Sequence, residues 1–443
     1  MTAPQANKPK TNEPKTNEPM QNEPKTNEPI TTEVCVVGGG PGGRALALAL
    51  TRLGRRVVLL EQRAGGARAF RGESLSPDGV RLLAGLGVLE RVREHAHEVH
   101  RLEIADGGAR VLDVRFDAFP YAYRRPVELA QPVLLAALAE AADEHGGCTV
   151  LEPASAVGLL ADGPMIRGVR AKTPGGIVEI RAQATVGADG RYSSVRRLSG
   201  LERGARRTPL ERDVVWMKLP FPAAWDRRAY RVRISSGRHG LFLPSTDGTV
   251  RVGLNIPKGS LRELRSAGLN ALHDRLVELA PELAQEAAEG VTSWSDTTLL
   301  DIFTTDVRRW SAPGVVLIGD AAHTLSPILG QGVNHALADA AALAPLLAGA
   351  LATPRGGRPA ALAEAVHAFQ REREAAVRRS RGLQLRQERM FTLASPPAAA
   401  LRRTVYRALN ASPALQRKVL APAYFPGQVP APAAAPARTE QRT

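Results

Sequence analysis

The six residues Gly38-Gly39-Gly40-Pro41-Gly42-Gly43 constrain the fold more than any other part of this chain. They follow a short apolar strand, Val34–Val37, and open an apolar helix predicted from Gly42 to Gly54. Val57–Glu61 then reads as a second strand, so strand, helix and strand form one βαβ unit. Read as G-x-G-x-x-G, the glycines are Gly38, Gly40 and Gly43. The first allows a tight turn, the second lets a pyrophosphate approach the backbone, and the third lets helix pack on strand. The anion then meets the free N–H groups and positive dipole end of the helix. Glu61, at the end of the second strand, has the position of a carboxylate that accepts bonds from ribose hydroxyls. The alternative is a glycine turn with no ligand.

Of the 443 residues, 44% are apolar and 23% charged, ordinary globular values that exclude a wholly disordered or many-span membrane protein. Two cysteines, Cys35 and Cys148, both in apolar runs, exclude a disulfide scaffold and a cysteine-ligated metal site, and free thiols suit a reducing cytoplasm. Residues 1–30 carry a five-residue proline repeat, Lys10-Thr-Asn-Glu-Pro14 and its successors, and read as a disordered tail. Residues 425–443, rich in proline and alanine, read as a second one. No apolar run reaches transmembrane length, and Ala336–Leu351, broken by Asp339 and Pro345, reads as a packed helix. The net charge of +15 is uneven, because from Arg355 onward 16 basic residues face 5 acidic ones. A solvated arginine face explains this; the same pattern is what weak peripheral contact with anionic lipid would use. Nucleic-acid binding is not expected, since aromatics are only 4%.

Between the tails the pattern is mixed. A hairpin is expected across His100–Phe116, a helix over Val133–His145, and strands from Thr149 to Val186. Strands return over Val214–Ile256, helix over Leu261–Leu283, a buried strand at Val315–Ile318 and a long helix from Gly332 to Ala350. Residues 360–417 read as helical.

Two later segments complete the constellation. Val186-Gly-Ala-Asp189-Gly190-Arg-Tyr-Ser193-Ser-Val-Arg196 resembles the Asp-Gly motif of the class A flavoprotein monooxygenases, the family of para-hydroxybenzoate hydroxylase. Leu317-Ile-Gly319-Asp320-Ala-Ala-His323, continuing to Pro327, Gly330-Gln331-Gly332 and Asn334, resembles that family's Gly-Asp motif. The resemblance covers roughly residues 31–351 and fades in the C-terminal helices. It implies an α/β fold: a Rossmann-like FAD-binding domain of the glutathione-reductase type, an inserted β-sheet substrate domain, and C-terminal helices. The expected division is 31–92, 126–202 and 296–354 for FAD, 93–125 and 203–295 for substrate, and 355–424 for the helices.

The residues themselves agree with FAD. Asp320 follows a buried strand, where its carboxylate can accept bonds from a polyol such as the ribityl chain. The loop Pro327–Gly332 is small enough for a flat ring to lie against its backbone, and helix N–H groups begin near Gly332. The resemblance places Asp189 near the pyrophosphate and the nicotinamide docking region. Gln131 fills a slot that is often arginine in the family, and Arg71 would supply the missing charge, unless it is simply solvated.

The resemblance further implies that NAD(P)H reduces FAD and that a flavin hydroperoxide, formed with dioxygen, hydroxylates or epoxidises an aromatic or quinone-like small molecule of secondary metabolism. Tyr230, Arg233 and His239, on the middle strands, are the candidates for a group that deprotonates or polarises the substrate, although a turn histidine such as His239 is commonly plain surface. No metal-binding helix and no Ser/His/Asp signature occurs. The alternative is a flavin-dependent reductase or desaturase of an isoprenoid, similar to geranylgeranyl reductases. A halogenase lacks its W-x-W signature here, since no two of the four tryptophans are two apart. A non-enzymatic flavin-binding regulator would lack NAD(P)H turnover.

Overall fold

The structure, a computed structural model, describes residues 28–63 and 73–430. The repeat tail up to residue 27, Arg71, and residues 431–443 lie outside the described residues.

The parallel strands Val315–Leu317, Gly176–Gly187, Ile30–Val37, Val57–Leu60 and Cys148–Leu151 lie side by side in that order. Strands covered on both faces need apolar residues throughout, and Val34, Cys35, Val36 and Leu59 are almost fully buried. Helices α1 (Pro41–Arg52), α2 (Pro77–Gly85), α3 (Leu89–Val92), α4 (Gln131–His145) and α5 (Ser194–Leu198) connect and flank this sheet.

A second, seven-stranded sheet takes its strands from Arg101–Asp106, Ala109–Arg115, Arg212–Pro220, Ala229–Ser235, Arg238–Pro244, Thr249–Pro257 and Thr298–Leu300. The last lies just past the boundary expected at residue 295. Alternation along these strands feeds two separate cores. Val215, Met217, Val252 and Leu254 pack with α6 (Leu261–Ser266), α7 (Leu269–Leu279) and α8 (Ala284–Gly290). Ile104, Trp216, Tyr230, Val232 and Leu241 face the other way, toward the C-terminal helices.

Helix α9 (Gly332–Ala352) is long and apolar enough to cross a membrane by length and composition, but it is packed between α1 and α10 (Arg358–Thr392). Helices α11 (Pro396–Ala411) and α12 (Pro413–Tyr424) then close over the second sheet. Two expectations change here. Phe425 is buried, its ring 4.3 Å from that of Tyr121 and 4.9 Å from that of Phe119. Gln428 exchanges hydrogen bonds with the Tyr123 backbone, so residues 425–428 belong to the folded body. Cys148 is half-buried, whereas Cys35 is fully enclosed and its thiol is pushed up to about 12 by burial.

The C-terminal arginines also divide. Arg371 and Arg378 are exposed, but Arg373 and Arg381 pair with Asp339 and Asp306. Arg402 is 1% exposed, with Nε 2.8 Å from Asp106 Oδ2 and Nη1 donating to the Met390 and Leu393 carbonyls. It therefore belongs to neither a solvated nor a lipid-facing surface. It locks α11 onto the Arg101–Asp106 strand, with both charges compensated.

Removing one partner of such a pair strands the other charge. Arg402→Ala should lose about 3–5 kcal/mol of unfolding free energy in denaturant titration. A loss under about 1 kcal/mol, the value of an exposed pair, would contradict the locking role.

Candidate active site

The three glycines of the first loop meet different demands. Gly38 has φ +110°, and a Cβ there would fall 2.4 Å from the Ala188 carbonyl oxygen. A Cβ at Gly43 would lie 1.9 Å from the Gly38 carbonyl oxygen, so helix and strand touch backbone to backbone. At Gly40, by contrast, nothing lies within 4 Å. Gly190 and Gly332 have the same open space, and all three border one cavity of about 900 Å³. A side chain at any of them would fill a cradle that backbone alone leaves open.

Glu61 is buried at the edge of this cradle. Its Oε2 accepts from the Gly39 N–H at 2.8 Å and its Oε1 from the Arg63 N–H at 2.9 Å. Each oxygen keeps a second lone pair for a ligand hydroxyl. Asp189 and Gly190 also border the cavity, but the Asp189 carboxylate accepts from Ser193 Oγ and from the Ser194 and Val195 amides. It caps α5, and burial raises its pKa. Gln131, at the start of α4, is buried and reaches the cavity.

Gly319, Asp320, Pro327, Gly330 and Gly332 form the facing wall. Asn334 does not border it. Its Oδ1 accepts from the Ser76 N–H and its Nδ2 donates to the Gly330 carbonyl, so it fastens the loop to the start of α2. Asp339, which breaks the apolar run of α9, is fully buried. Its Oδ2 accepts from the Gly319 N–H at 2.8 Å and lies 2.7 Å from His323 Nε2, and its Oδ1 takes Arg373 Nε at 2.7 Å. Burial alone would raise this carboxyl, but His323 and Arg373 hold it well below the usual range. The outer cluster continues through His335, which bonds Ser380 and which burial pushes down to about 3.

Of the three catalytic candidates, the structure brings only Tyr230 to the cavity. Arg233 pairs with Glu282 on the far side. His239 is not on a turn surface: it lies in the Arg238–Pro244 strand, 1% exposed, with its ring against Phe391. Burial pushes it down to about 3, so it stays neutral.

The Tyr230 hydroxyl donates to Glu128 Oε1 at 2.7 Å. Around it is a polar group that the sequence reading did not find. Arg251 Nη1 lies 2.8 Å from Glu73 Oε2, and its Nη2 donates to Glu128 Oε2 at 2.8 Å and to Ser74 Oγ at 3.0 Å. Burial raises the Glu128 pKa. A signal existed for Arg251: Val250, Val252, Leu254 and Ile256 form one face of their strand, which leaves Arg251 on the cavity face. Beyond this polar floor the cavity is apolar, walled by Ile104, Val232 and Leu241 from the sheet and by Met390, Phe391 and Tyr424 from the C-terminal helices.

A single cavity thus joins an open glycine turn at a helix N-terminus, the carboxylates of Glu61 and Asp320, and an apolar chamber with a polar floor. The chemistry of these residues fits the phosphates, hydroxyls and flat ring of FAD. Comparison with known proteins agrees. The FAD binding domain family model matches residues 31–380. The 6-methylpretetramide 4-monooxygenase of Streptomyces rimosus is 36% identical over 387 residues, covering 86% of this chain and 90% of that one. The 3-demethoxyubiquinol 3-hydroxylase of Escherichia coli is 28% identical, covering 72% and 80%. The crystal structure of Pseudomonas aeruginosa PqsL in complex with 2-aminobenzoylacetate superimposes with a TM-score of 0.73 at 27% identity, covering 86% of this chain and all of that one. These named oxygenases favour oxygen transfer over the isoprenoid reductase. The chain belongs to the class A flavoprotein monooxygenases, and is an FAD-dependent oxidoreductase that draws its electrons from NAD(P)H.

Proposed function

We propose that this enzyme inserts one oxygen atom into a fused-ring phenol or quinone-like metabolite, working in the reducing cytoplasm that its free thiols suit. The observation that carries the reading is the continuity of one cavity of about 900 Å³ from the glycine cradle into an apolar chamber. The substrate of the Streptomyces rimosus relative, a pretetramide by its printed name, supports a polycyclic substrate. No lipid contact is needed for it.

In this reading the Gly38–Gly40 backbone and the α1 N-terminus hold the FAD pyrophosphate, and Glu61 takes the ribose hydroxyls. Asp320 takes the ribityl chain. Pro327, Gly330 and Gly332 would support the ring, and the first amides of α9 would favour negative charge on it. Gln131 contributes neutral hydrogen bonds, while Asp189 and Asn334 shape the loops. When bound and reduced, FAD supplies the activation of dioxygen and the delivery of one oxygen atom.

The chain does the rest. The apolar chamber excludes water, which favours transfer to substrate over release of hydrogen peroxide. Ring planes rest between the sheet and the helices. A substrate hydroxyl reaches the polar floor, where the Glu73 carboxylate accepts its proton, making the ring more electron-rich. Arg251 holds Glu73 in place and offsets the charge of the floor, and the Tyr230–Glu128 bond fixes Arg251 from the other side.

Two outcomes test this. Gly40→Val and Asp320→Ala should purify folded with FAD affinity weakened about tenfold or more, equal to about 1.4 kcal/mol, by flavin absorbance after dialysis. Full FAD content in both would contradict the assignment. In a panel of fused-ring and one-ring phenols and quinones with NAD(P)H, mass spectrometry should find fused-ring products gaining one oxygen atom. Turnover of one-ring compounds alone, or hydrogen peroxide with every member, would contradict the substrate class.

A further inference from the structure

We propose that the slot between α11 and α12 is the entrance by which a flat, apolar and acidic multi-ring substrate reaches the chamber. This rests on the fused-ring reading above. Val405 on α11 and Val419 on α12 both border the cavity, yet they are 46% and 43% exposed. Side chains that are cavity wall and outer surface at once mark an opening. Leu401 and Leu415, one turn earlier on the same helices, are also exposed but do not border the cavity. Behind the two valines, Tyr406, Leu409, Leu420 and Tyr424 lead toward the sheet. An entrance walled by valine, leucine and tyrosine rings admits a planar hydrocarbon skeleton and gives a strongly hydrated small molecule nothing to bind.

Helices α11 and α12 carry charge of one sign only. From Met390 to Phe425 the chain contains Arg402, Arg403, Arg407, Arg417 and Lys418 and no Asp or Glu. Arg402 is neutralised by Asp106, whose other oxygen lies 3.5 Å from Arg403. Arg407, Arg417 and Lys418 are exposed and make no ion pair among the described residues. Cationic helices flanking an apolar slot concentrate phenolates and enolates near the mouth and speed their encounter, an effect that salt weakens. These helices also lie past residue 380, where the match to the FAD binding domain ends. The selecting wall is therefore separate in sequence from the cofactor machinery, and can change without disturbing it.

The test is stopped-flow mixing of the holoenzyme with alizarin, a fused-ring acidic quinone, following the flavin absorbance. Association with the unaltered enzyme should slow as salt rises. Val405→Trp and Val419→Trp should each slow it by about tenfold, within the range by which on-rates vary at one site. The double variant Arg407→Glu, Lys418→Glu should slow it at low salt and flatten the salt dependence. Leu401→Trp, on the same helix but off the cavity wall, should associate like the unaltered enzyme. FAD content and melting temperature report whether each variant is folded. Unchanged rates in both valine variants and the charge-reversed one would overturn the entrance. Absence of any alizarin signal with the unaltered enzyme would overturn the fused-ring reading itself, so the two failures are distinct.

Discussion

The cofactor-facing half of this protein depends on one buried carboxylate. An unpaired charge in a protein interior is too costly to persist, so Asp339 can be fully enclosed only because three groups converge on it. Arg373 reaches it from α10, His323 from the turn after the Val315–Leu317 strand, and the Gly319 amide from the turn itself. The network therefore joins the sheet, α9 and α10 at one point. Gly319, with φ +58°, is held there by its own N–H, and the turn presents Asp320 to the cavity. Asp339 does not border the cavity, yet the wall that a flavin ring would rest on is anchored through it.

The two halves of the cavity use different physics. Along the glycine turn the lining is backbone: absent side chains at Gly40, Gly190 and Gly332 leave room, and helix N-termini supply the positive end. In the chamber the lining is side chain. A ring of apolar residues surrounds a compact polar floor in which Arg251 is gripped by two carboxylates. Burial raises Glu128, and the Arg251 guanidinium between the two carboxylates offsets their charge. The glycine cradle depends on what is left out, and the floor on what is put in.

That difference explains how much could be read from the sequence. The glycine turn was legible because close backbone approach leaves a residue-type signature, and Gly319-Asp320 because it follows an apolar run. The hairpin across His100–Phe116 was legible because alternating apolar residues flank an Asp106-Gly107 turn. The polar floor was not, because Glu128 and Arg251 are 123 positions apart and nothing local announces their pairing. His239 beside the Ser236-Gly237 turn looks like surface, and only Phe391, arriving from α10, encloses it. Phe425 sits in a tail-like proline and alanine context, yet two aromatic rings from the loop after the first hairpin hold it. Arg402 looks like its exposed neighbours until Asp106 meets it.

The central claim is that this cavity transfers one atom of dioxygen to an organic substrate. The most direct measurement is turnover of an accepted substrate under labelled dioxygen, with the label followed into both product and water. The account predicts one labelled atom in the product and the other in water. Label entering the product from water instead, or a product reduced without gaining oxygen, would contradict it.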